Sequence, residues 1–434
     1  MRRVYLDYAA TTPVAPEVLK AMEPYWSKEF GNPMAAHSFG AEARKAIEES
    51  REIIAGFFNV DQEEIIFTSG ATESNNLALR GVVKGVKNYV KRYGERIQLP
   101  SLRVNEPANF IPHIITTPFE HHCLLDSAKD LLEGTTRLRP GELQRGTAEV
   151  TFIKVGHDGV VDSKEILKAM KPNTVLVSVM YVNNEIGTVA PLKEIGDIVQ
   201  KERIRRKEKA GLVGKEGLPI YFHSDITQAV NYLPCNMKKL GVDLFSLSAH
   251  KVYGPKGVGA LGVKKGVLIE KIQLGGEQEF NLRAGTHNVT GIVGMAAAIS
   301  RISKLKIQMS KKTQELRDYF WKKLQKEVKN IKLNGSLEKR VANNLNVSFA
   351  GVEGESMLLA LDMAGVACST GSACSSENLE PSHVLLSIGR THPEAHGSLR
   401  FTLGEKTTKS DIDYATLNVK EVVERLRLIS GYKG

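Results

Sequence analysis

The middle of the chain alternates short apolar runs with helical apolar periods, and this alternation limits the possible folds more than any other feature. Apolar runs at 65–67, 113–115 and 175–179 each precede a segment of helical periodicity, and the segment after 175–179 is predicted as a helix from Ile195 to Gln200. Further runs follow at 221–222 and 244–247. Strands that alternate with helices predict βα units and a mostly parallel sheet. In such α/β sheets, ligands bind beyond the carboxyl ends of the strands.

From about Gln308 the pattern changes to that of a smaller α+β unit. A long basic amphipathic helix is followed by a strand-like segment at 344–349, and a last helix carries apolar residues three and four apart on one face. Segments 95–112 and 210–218 interrupt the alternation and are rich in Pro, Gly or charge, which predicts surface insertions. We predict a large α/β domain at 15–307 and a small α+β domain formed by 1–14 plus 308–434.

The composition is that of a globular protein, with 42% hydrophobic and 25% charged residues. No stretch approaches the roughly twenty apolar residues of a spanning helix, and residues 4–8 contain a charge too early for a signal peptide. We therefore expect a cytoplasmic protein without membrane association. The net charge of +10 comes largely from solvated helix faces without a recognition motif, so nucleic-acid binding is not favoured.

Lys251 is the most informative polar residue at a strand end. It follows the apolar run 242–247 and precedes a glycine-containing turn, so its amine can be desolvated and become a nucleophile toward a carbonyl cofactor. The alternative is a solvated loop lysine, and Lys256 in the same loop is a competing amine. Asp225, at the end of the strand-like segment 221–225, strengthens the first interpretation, because a carboxylate there can pair with a pyridine nitrogen.

Residues 68–76 follow another predicted strand and open a helix. Their hydroxyls and backbone amides suit a phosphate bound at a helix N terminus. A plain capping turn is an equally good interpretation, because Ser and Thr are common caps.

The four cysteines, Cys123, Cys235, Cys368 and Cys374, are too few and too scattered to predict a disulfide framework or a structural metal site. Cys374 lies among small residues at 369–376, which indicates a thiol on a mobile loop. A small buried hydrophobe is the usual state of a cysteine, and Cys368, beside Val366 and Ala367, is predicted to be such a core residue.

With these residues in view, nearly the whole chain resembles the pyridoxal-phosphate-dependent cysteine desulfurases of the class V aminotransferase superfamily. The resemblance implies a PLP-dependent transferase fold of the aspartate aminotransferase type I kind, with a large domain built on a mostly parallel sheet. The motifs that carry it lie at 6–13, 68–74, 182–187, 248–251, 283–286 and 371–374.

The resemblance implies a role for each matching residue. Lys251 would form the Schiff base with pyridoxal 5'-phosphate, Asp225 would pair with the pyridine nitrogen, and Cys374 would take the sulfur. The other roles are ring stacking and proton movement for His121, the ring hydroxyl for Gln228, the phosphate for Ala71, Thr72, Ser248 and His250, the ring and the substrate for Asn184, the substrate carboxylate for Arg400, and the phosphate across a subunit boundary for Thr286.

The implied activity is conversion of L-cysteine to L-alanine, with an enzyme persulfide that supplies sulfur for iron-sulfur clusters or tRNA thiolation. A homodimer and an acceptor such as an iron-sulfur scaffold or a sulfur carrier protein are expected partners. A selenocysteine lyase or an aminotransferase on the same fold would also keep Lys251 and Asp225, but it need not have a thiol at 374. A purely non-catalytic binding protein would need no Schiff-base lysine.

Overall fold

We describe the protein from a computed structural model, over residues 2–98, 110–133, 146–370 and 380–432. The strands in these ranges are β1 (Val4–Tyr5), β2 (Ile65–Thr68), β3 (Ile97–Gln98), β4 (His113–Thr116), β5 (Glu149–Phe152), β6 (Thr174–Ser178), β7 (Glu216–Gly217), β8 (Tyr221–Asp225), β9 (Leu244–Ser248), β10 (Gly259–Val263), β11 (Ile331–Leu333), β12 (Asn344–Phe349), β13 (Val366–Ala367) and β14 (Ser398–Thr402).

The α-helices in the same ranges are α1 (Pro16–Met22), α2 (Pro24–Ser27), α3 (Ser38–Phe58), α4 (Ala71–Tyr93), α5 (His122–Glu133), α6 (Ser163–Ala169), α7 (Leu192–Gly211), α8 (Met237–Leu240), α9 (Gln278–Asn281), α10 (Val289–Glu327), α11 (Gly354–Met363), α12 (His383–Ser387), α13 (His392–His396) and α14 (Lys409–Ser430). None of the described helices is both long and apolar enough to cross a membrane.

A seven-stranded sheet with the order β2-β10-β9-β8-β6-β4-β5 forms the centre of the large unit. Its neighbouring strands pair in parallel, except that β10 runs antiparallel to β2 and β9. The mostly parallel α/β sheet predicted from the sequence is confirmed. Because Asp225 pairs with Ser246 in the parallel β8–β9 ladder, the carboxyl ends of these two strands bring Asp225 and the segment after Ser248 to one edge.

Both faces of the sheet are covered by helices. On β9, Leu244 packs into one core and its neighbour Phe245 into the other, since successive side chains of a strand point to opposite faces. This two-sided burial explains why the strands appear in the sequence as continuous apolar runs rather than as alternating patterns.

A third core lies in the C-terminal unit, under the antiparallel sheet β11-β12-β14. Val4 and Leu6 from the N terminus pack in this core together with Phe401. Helix α10 extends without a break from Val289 to Glu327, so it begins about five turns before the predicted Gln308 and crosses the predicted 307/308 boundary. The domain boundaries stay a prediction.

The two predicted insertions meet in space. Strands β3 and β7 form a small parallel sheet that pairs Ile97 with Glu216, and Tyr89 on α4 donates a hydrogen bond of 2.6 Å to Glu216. Helix α7 reaches Gly211, far beyond its predicted end at Gln200. The last helix is capped by Thr408, which forms a capping box with Asp411.

Candidate active site

A cavity of about 650 Å³ lies where the carboxyl ends of the central strands meet the N-terminal segment. It is lined by most of the predicted site residues, namely Ala71, Thr72, His121, Asn184, Asp225, Gln228, Ser248, His250, Lys251 and Arg400. It is also lined by residues for which the sequence indicated no role, including Ala9, Ala10, Thr11, Cys123 and Thr227. The predicted constellation therefore converges on one cavity.

The loop between β2 and α4 forms one wall of this cavity. Gly70 has φ +156°, a conformation that residues with a Cβ rarely adopt. Helix α4 then begins at Ala71 and runs for 23 residues, and the amides of its first turn have no acceptor within the helix. This N terminus, close to Ser248 and open to the cavity, suits an anion such as a phosphate.

Basic side chains lie next to this helix N terminus. Burial first, and then the positive charges of Lys251 and Lys256, lower the pKa of His250 to about 4. The imidazole Nδ1 of His250 is 3.1 Å from the hydroxyl of Thr11. The cavity thus offers a positive electrostatic environment together with neutral donors, which is the setting that a phosphate monoester prefers.

Lys251 extends from a 3₁₀ turn, Ala249–Lys251, directly after β9. Its Nζ donates to the carbonyl oxygens of Ala9 and Ala10 at 2.5 and 2.6 Å. The amide of Gln228 also donates to the Ala9 carbonyl, at 3.0 Å. The N-terminal segment therefore holds the lysine amine in the cavity, so Lys251 is not a solvated loop lysine. Lys256 lines the cavity as well and stays the competing amine.

Asp225 is buried at the end of β8, and two neutral donors orient its carboxylate. Asn75 Nδ2 donates to Oδ2 at 2.7 Å, and the backbone amide of Thr227 donates to Oδ1 at 3.0 Å. Asn75 has no exposed surface. It lies one helical turn after Ala71 on the face of α4 toward the sheet, where a buried amide among apolar residues was the signal that sequence reasoning missed.

His121 lies just before α5 and contacts a cysteine two residues ahead. Its Nδ1 is 3.1 Å from Cys123 Sγ and accepts the backbone N–H of Cys123 at 3.3 Å. Burial lowers the pKa of His121 below its ordinary value, against the opposing charge of Asp225. The imidazole is therefore neutral near pH 7 and available for proton exchange.

Arg400 reaches the cavity from β14 of the C-terminal unit. Its guanidinium donates to Asp7 Oδ1 at 2.8 Å and to the carbonyl of Asn184 at 3.0 Å. Asp7 was not predicted as a site residue, because its contact with Arg400 joins opposite ends of the chain. Within the described residues, the buried Nε of Arg400 and the side-chain oxygen of Asn184 have no hydrogen-bond partner, so both can take a substrate group.

Two predicted site residues are not among those that line the cavity. Thr286 is exposed and lies in the segment between α9 and α10. Cys374 lies outside the described residues. Cys368, by contrast, is buried in the third core, as predicted, and burial raises the pKa of its thiol.

The cavity fits pyridoxal 5'-phosphate by the chemistry of its donors. The helix N terminus suits the phosphate, the Asp225 carboxylate suits a protonated pyridine nitrogen, and Lys251 supplies the amine for the aldehyde. The buried hydroxyl of Thr227 has no partner among the described residues and faces the same region. Each chemical group of the cofactor thus has a matching partner in the cavity.

The family model for aminotransferase class-V matches residues 4–93 and 94–415 of the chain. Among curated proteins, the chain is 45% identical to cysteine desulfurase IscS of Dictyoglomus turgidum over 433 residues, which cover 100% of this chain and 97% of the relative. It is 40% identical to cysteine desulfurase IscS of Clostridium botulinum over 431 residues, which cover 99% and 96% of the two chains.

Solved structures give the same result for the fold. A NifS-like protein with 32% identity superposes with a TM-score of 0.80 and covers 98% of this chain and 100% of its own. A NifS-like protein from Rickettsia africae, 26% identical, has a TM-score of 0.78 and the same coverage. SspA in complex with cysteine is 30% identical, with a TM-score of 0.74 over 94% of this chain and 100% of that one. The PLP-dependent transferase fold expected from the sequence is confirmed.

Proposed function

The chain belongs to the aminotransferase class-V family and, within it, to the cysteine desulfurases, and we propose on this premise that it converts L-cysteine to L-alanine and transfers the sulfur to its own Cys374. The observation that carries the proposal is the convergence of Lys251 and Asp225, from adjacent strand ends, on a cavity that also contains a helix N terminus. Neither a plain binding protein nor a solvated loop lysine requires that convergence.

Pyridoxal 5'-phosphate, when bound, supplies a carbonyl that reacts with amines and a ring that accepts electron density from the substrate. The chain's part is to hold it. Lys251 would bind its aldehyde carbon, Asp225 its ring nitrogen, and Gln228 its ring hydroxyl. Its phosphate would bind Ala71, Thr72, Ser248 and His250. The two neutral donors orient the Asp225 carboxylate and leave acceptor capacity for a ring N–H.

Arg400 would bind the carboxylate of L-cysteine. Its pairing with Asp7 and with the Asn184 carbonyl fixes the guanidinium plane before substrate arrives, so less side-chain freedom is lost on binding. Its unpartnered Nε and the side-chain oxygen of Asn184 are the groups left for the substrate. His121, neutral, half-buried and lining the same cavity, would exchange protons with the substrate.

Cys374 would attack the sulfur of L-cysteine as a thiolate. One S–S bond forms and one C–S bond breaks, so the sulfur remains on the enzyme as a persulfide while the substrate carbon takes up a proton and leaves as L-alanine. The small residues around position 374 in the sequence support this assignment.

A homodimer is part of the proposal, with Thr286 contributing to the phosphate site of the partner. The exposure of Thr286 on its own chain supports this arrangement. Large apolar side chains are also exposed: Met34 and Phe280, at 60% and 56%, line a groove of about 430 Å³, and Phe30 and Phe39 are exposed with their rings in tilted contact. A second copy of the chain would bury this apolar surface.

The proposal places the enzyme in the cytoplasm, where the thiols Cys123, Cys235 and Cys368 would stay reduced. The sulfur acceptor would be an iron-sulfur scaffold or a sulfur carrier protein, with cluster assembly or tRNA thiolation as the destination. Support for this last step comes from the family alone.

The experiment that tests the proposal combines a spectrum with a mass measurement. Purified protein should absorb in the visible as a pyridoxal phosphate enzyme, and L-cysteine should yield L-alanine with one extra sulfur on a Cys374 peptide. Cys374→Ser should keep the cofactor and release essentially no sulfide, while Cys368→Ser stays active. Alanine formation without a protein persulfide would point to a lyase instead.

The lysine assignment has a matched control in the same cavity. Borohydride reduction should attach the cofactor to a peptide that contains Lys251, and Lys251→Ala should abolish this attachment while Lys256→Ala keeps it. Attachment at Lys256 would show that the competing amine is the functional one.

A further inference from the structure

Cys123 has a place in the cavity that the proposed reaction does not use. Its Sγ lies 3.1 Å from His121 Nδ1 and 3.2 Å from Asn75 Nδ2. The thiol is therefore inserted between the imidazole proposed to exchange protons and the amide that orients Asp225. The function of Cys123 depends on which of these groups donates a hydrogen bond to the sulfur and which accepts one from the thiol.

The direction of each hydrogen bond follows from the backbone. Because the N–H of Cys123 donates to His121 Nδ1, this nitrogen is an acceptor and carries no proton. A neutral imidazole with an unprotonated Nδ1 has its proton on Nε2. The Cys123 sulfur accepts from Asn75 and Thr72, which leaves its S–H placed to donate to Nδ1. Burial supports this by raising the pKa of the thiol to about 12, which keeps it protonated.

The same sulfur accepts a hydrogen bond on its other side. The amide of Asn75 has two hydrogens, and its Nδ2 is within bonding distance of both Cys123 Sγ and Asp225 Oδ2. A continuous chain of hydrogen bonds thus joins Asp225, Asn75, Cys123 and His121. Asp225 can only accept, so the three hydrogen bonds of this chain all run in one direction, and that direction specifies one tautomer of the histidine.

We propose that Cys123 is a positioning residue for His121, which it holds as the Nε2–H tautomer by donating its S–H to Nδ1. The inference rests on the proposed function, because it concerns the proton that His121 exchanges there. In this tautomer His121 offers a proton from Nε2 and accepts one at Nε2 only after that transfer. The nitrogen facing Cys123 takes no direct part.

The charged and titratable groups around His121 come from several elements. Asp225 lies at the end of β8, Lys251 follows β9, His122 begins α5 and His383 begins α12. These groups change the protonation of the ring as a whole, whereas a donor on Nδ1 also selects the tautomer. The tautomer is therefore the property that separates the role of Cys123 from general electrostatics.

The test is ¹⁵N nuclear magnetic resonance of the imidazole in the cofactor-bound protein, with the His121 signals assigned from a His121→Gln variant. In the wild type, Nε2 should show the shift of a protonated nitrogen and Nδ1 that of an unprotonated acceptor. In Cys123→Ala the neutral form loses a donor, so the titration midpoint of His121 should rise by about half to one pH unit, the equivalent of one neutral hydrogen bond. The pH profile of turnover should shift with it.

Cys123→Ser is the matched rescue, since a hydroxyl can donate to Nδ1 as the thiol does, and it should restore the wild-type midpoint. Cys235→Ser, at a buried cysteine that does not line the cavity, should leave the His121 signals unchanged. An Nδ1–H tautomer in the wild type would overturn the inference, and so would equal midpoints in Cys123→Ala and the wild type. Loss of the cofactor spectrum or of the persulfide in the wild type would instead contradict the proposed function.

Discussion

Two buried carboxylates, Asp225 and Glu279, are held in opposite ways. Asp225 accepts from two neutral donors and lines the cavity. Glu279 accepts from a bidentate Arg51, from the backbone amide of Phe67 and from His287, and its side chain is 2% exposed. One carboxylate keeps acceptor capacity for a ligand, and the other has used it within the protein.

The backbone around Glu279 shows how strongly these bonds act. Glu279, Phe280 and Asn281 have φ of 48°, 56° and 63°, which is left-handed backbone at three successive residues with side chains. Such a conformation costs about 1–2 kcal/mol per residue. Although burial acts to raise the pKa of Glu279, the bonds from His287 and Arg51 lower it below its ordinary value. Glu279, ionised and fully hydrogen-bonded within the protein, stabilises a strained turn. Asp225, which can still accept hydrogen bonds, is available to a ligand.

The largest effect should follow from removing the charge of Asp225, the carboxylate that keeps acceptor capacity for a ligand. Asp225→Asn should lower turnover at least about 1,000-fold, equivalent to about 4 kcal/mol of barrier, because the ring nitrogen loses its anionic partner. Urea unfolding of the apoprotein should change by less than 1 kcal/mol. Asp243→Asn is the matched control, since Asp243 is paired with Arg203. Asp243→Asn should lower the free energy of unfolding and leave turnover unchanged. Lost stability in Asp225→Asn together with lost turnover in Asp243→Asn would contradict the comparison.

Removing the charge of Glu279, whose hydrogen-bond acceptor capacity is used within the protein, should affect folding first. Glu279→Gln should lower the free energy of unfolding by about 3 kcal/mol, because it leaves Arg51 buried without its counter-charge. Urea titration at constant protein concentration measures this. The exposed neighbour change Glu277→Gln should stay within about 0.5 kcal/mol. Equal stabilities of the two variants would show that the strained turn does not depend on Glu279.

The turn held by Glu279 leads to Thr286, and mixed dimers test its role. Lys251→Ala and Thr286→Arg should each be inactive alone. After the two are unfolded and refolded together in equal amounts, about one quarter of wild-type activity should return, because half of the dimers are mixed and each has one intact site. Light scattering should show a dimer at micromolar concentration. A monomer, or no recovery of activity, would contradict the composite site.

A third buried carboxylate gives the smallest and most specific test. Burial raises the pKa of Glu120 to about 8, even though Thr117 and the Met180 amide donate to it. Since the folded state holds this proton more tightly than the unfolded state, stability should fall as the pH rises from about 4.5 through 8. Glu120→Gln should remove this part of the pH dependence in urea titrations at pH 6, 7 and 8. An unchanged slope would mean that Glu120 is ionised when folded.

Much of the fold could be predicted because its signals are local. The apolar runs at 65–67 and 244–247 lie within β2 and β9, and strand 344–349 was predicted with the bounds it has in the structure. Helix α7 was predicted too short because its second half is stabilised by tertiary contacts. Arg206 there is buried and donates to the carbonyls of Thr174 and Lys171, contacts that no periodicity reveals.

The same distinction between local signals and tertiary contacts applies to the residues of the candidate site. Lys251 and Asp225 could be predicted because each ends a recognisable strand, and parallel neighbours bring such ends together. Asn75, Cys123 and Asp7 were missed as site residues. Each acts through a partner far away in the chain, and its residue type alone has many ordinary explanations.

The amino-acid sequence by itself determined the α/β class, the order of strands and helices, and the residues that can carry the chemistry, because these depend on local periodicity and on functional groups. Only the tertiary structure decided which of those groups meet and which donor faces which acceptor. Hydrogen-bond direction depends on distances of about 3 Å between segments far apart in sequence. The bonds that orient Asp225, His121 and Arg400 are of this kind, and they exist only once the sheet has closed around them.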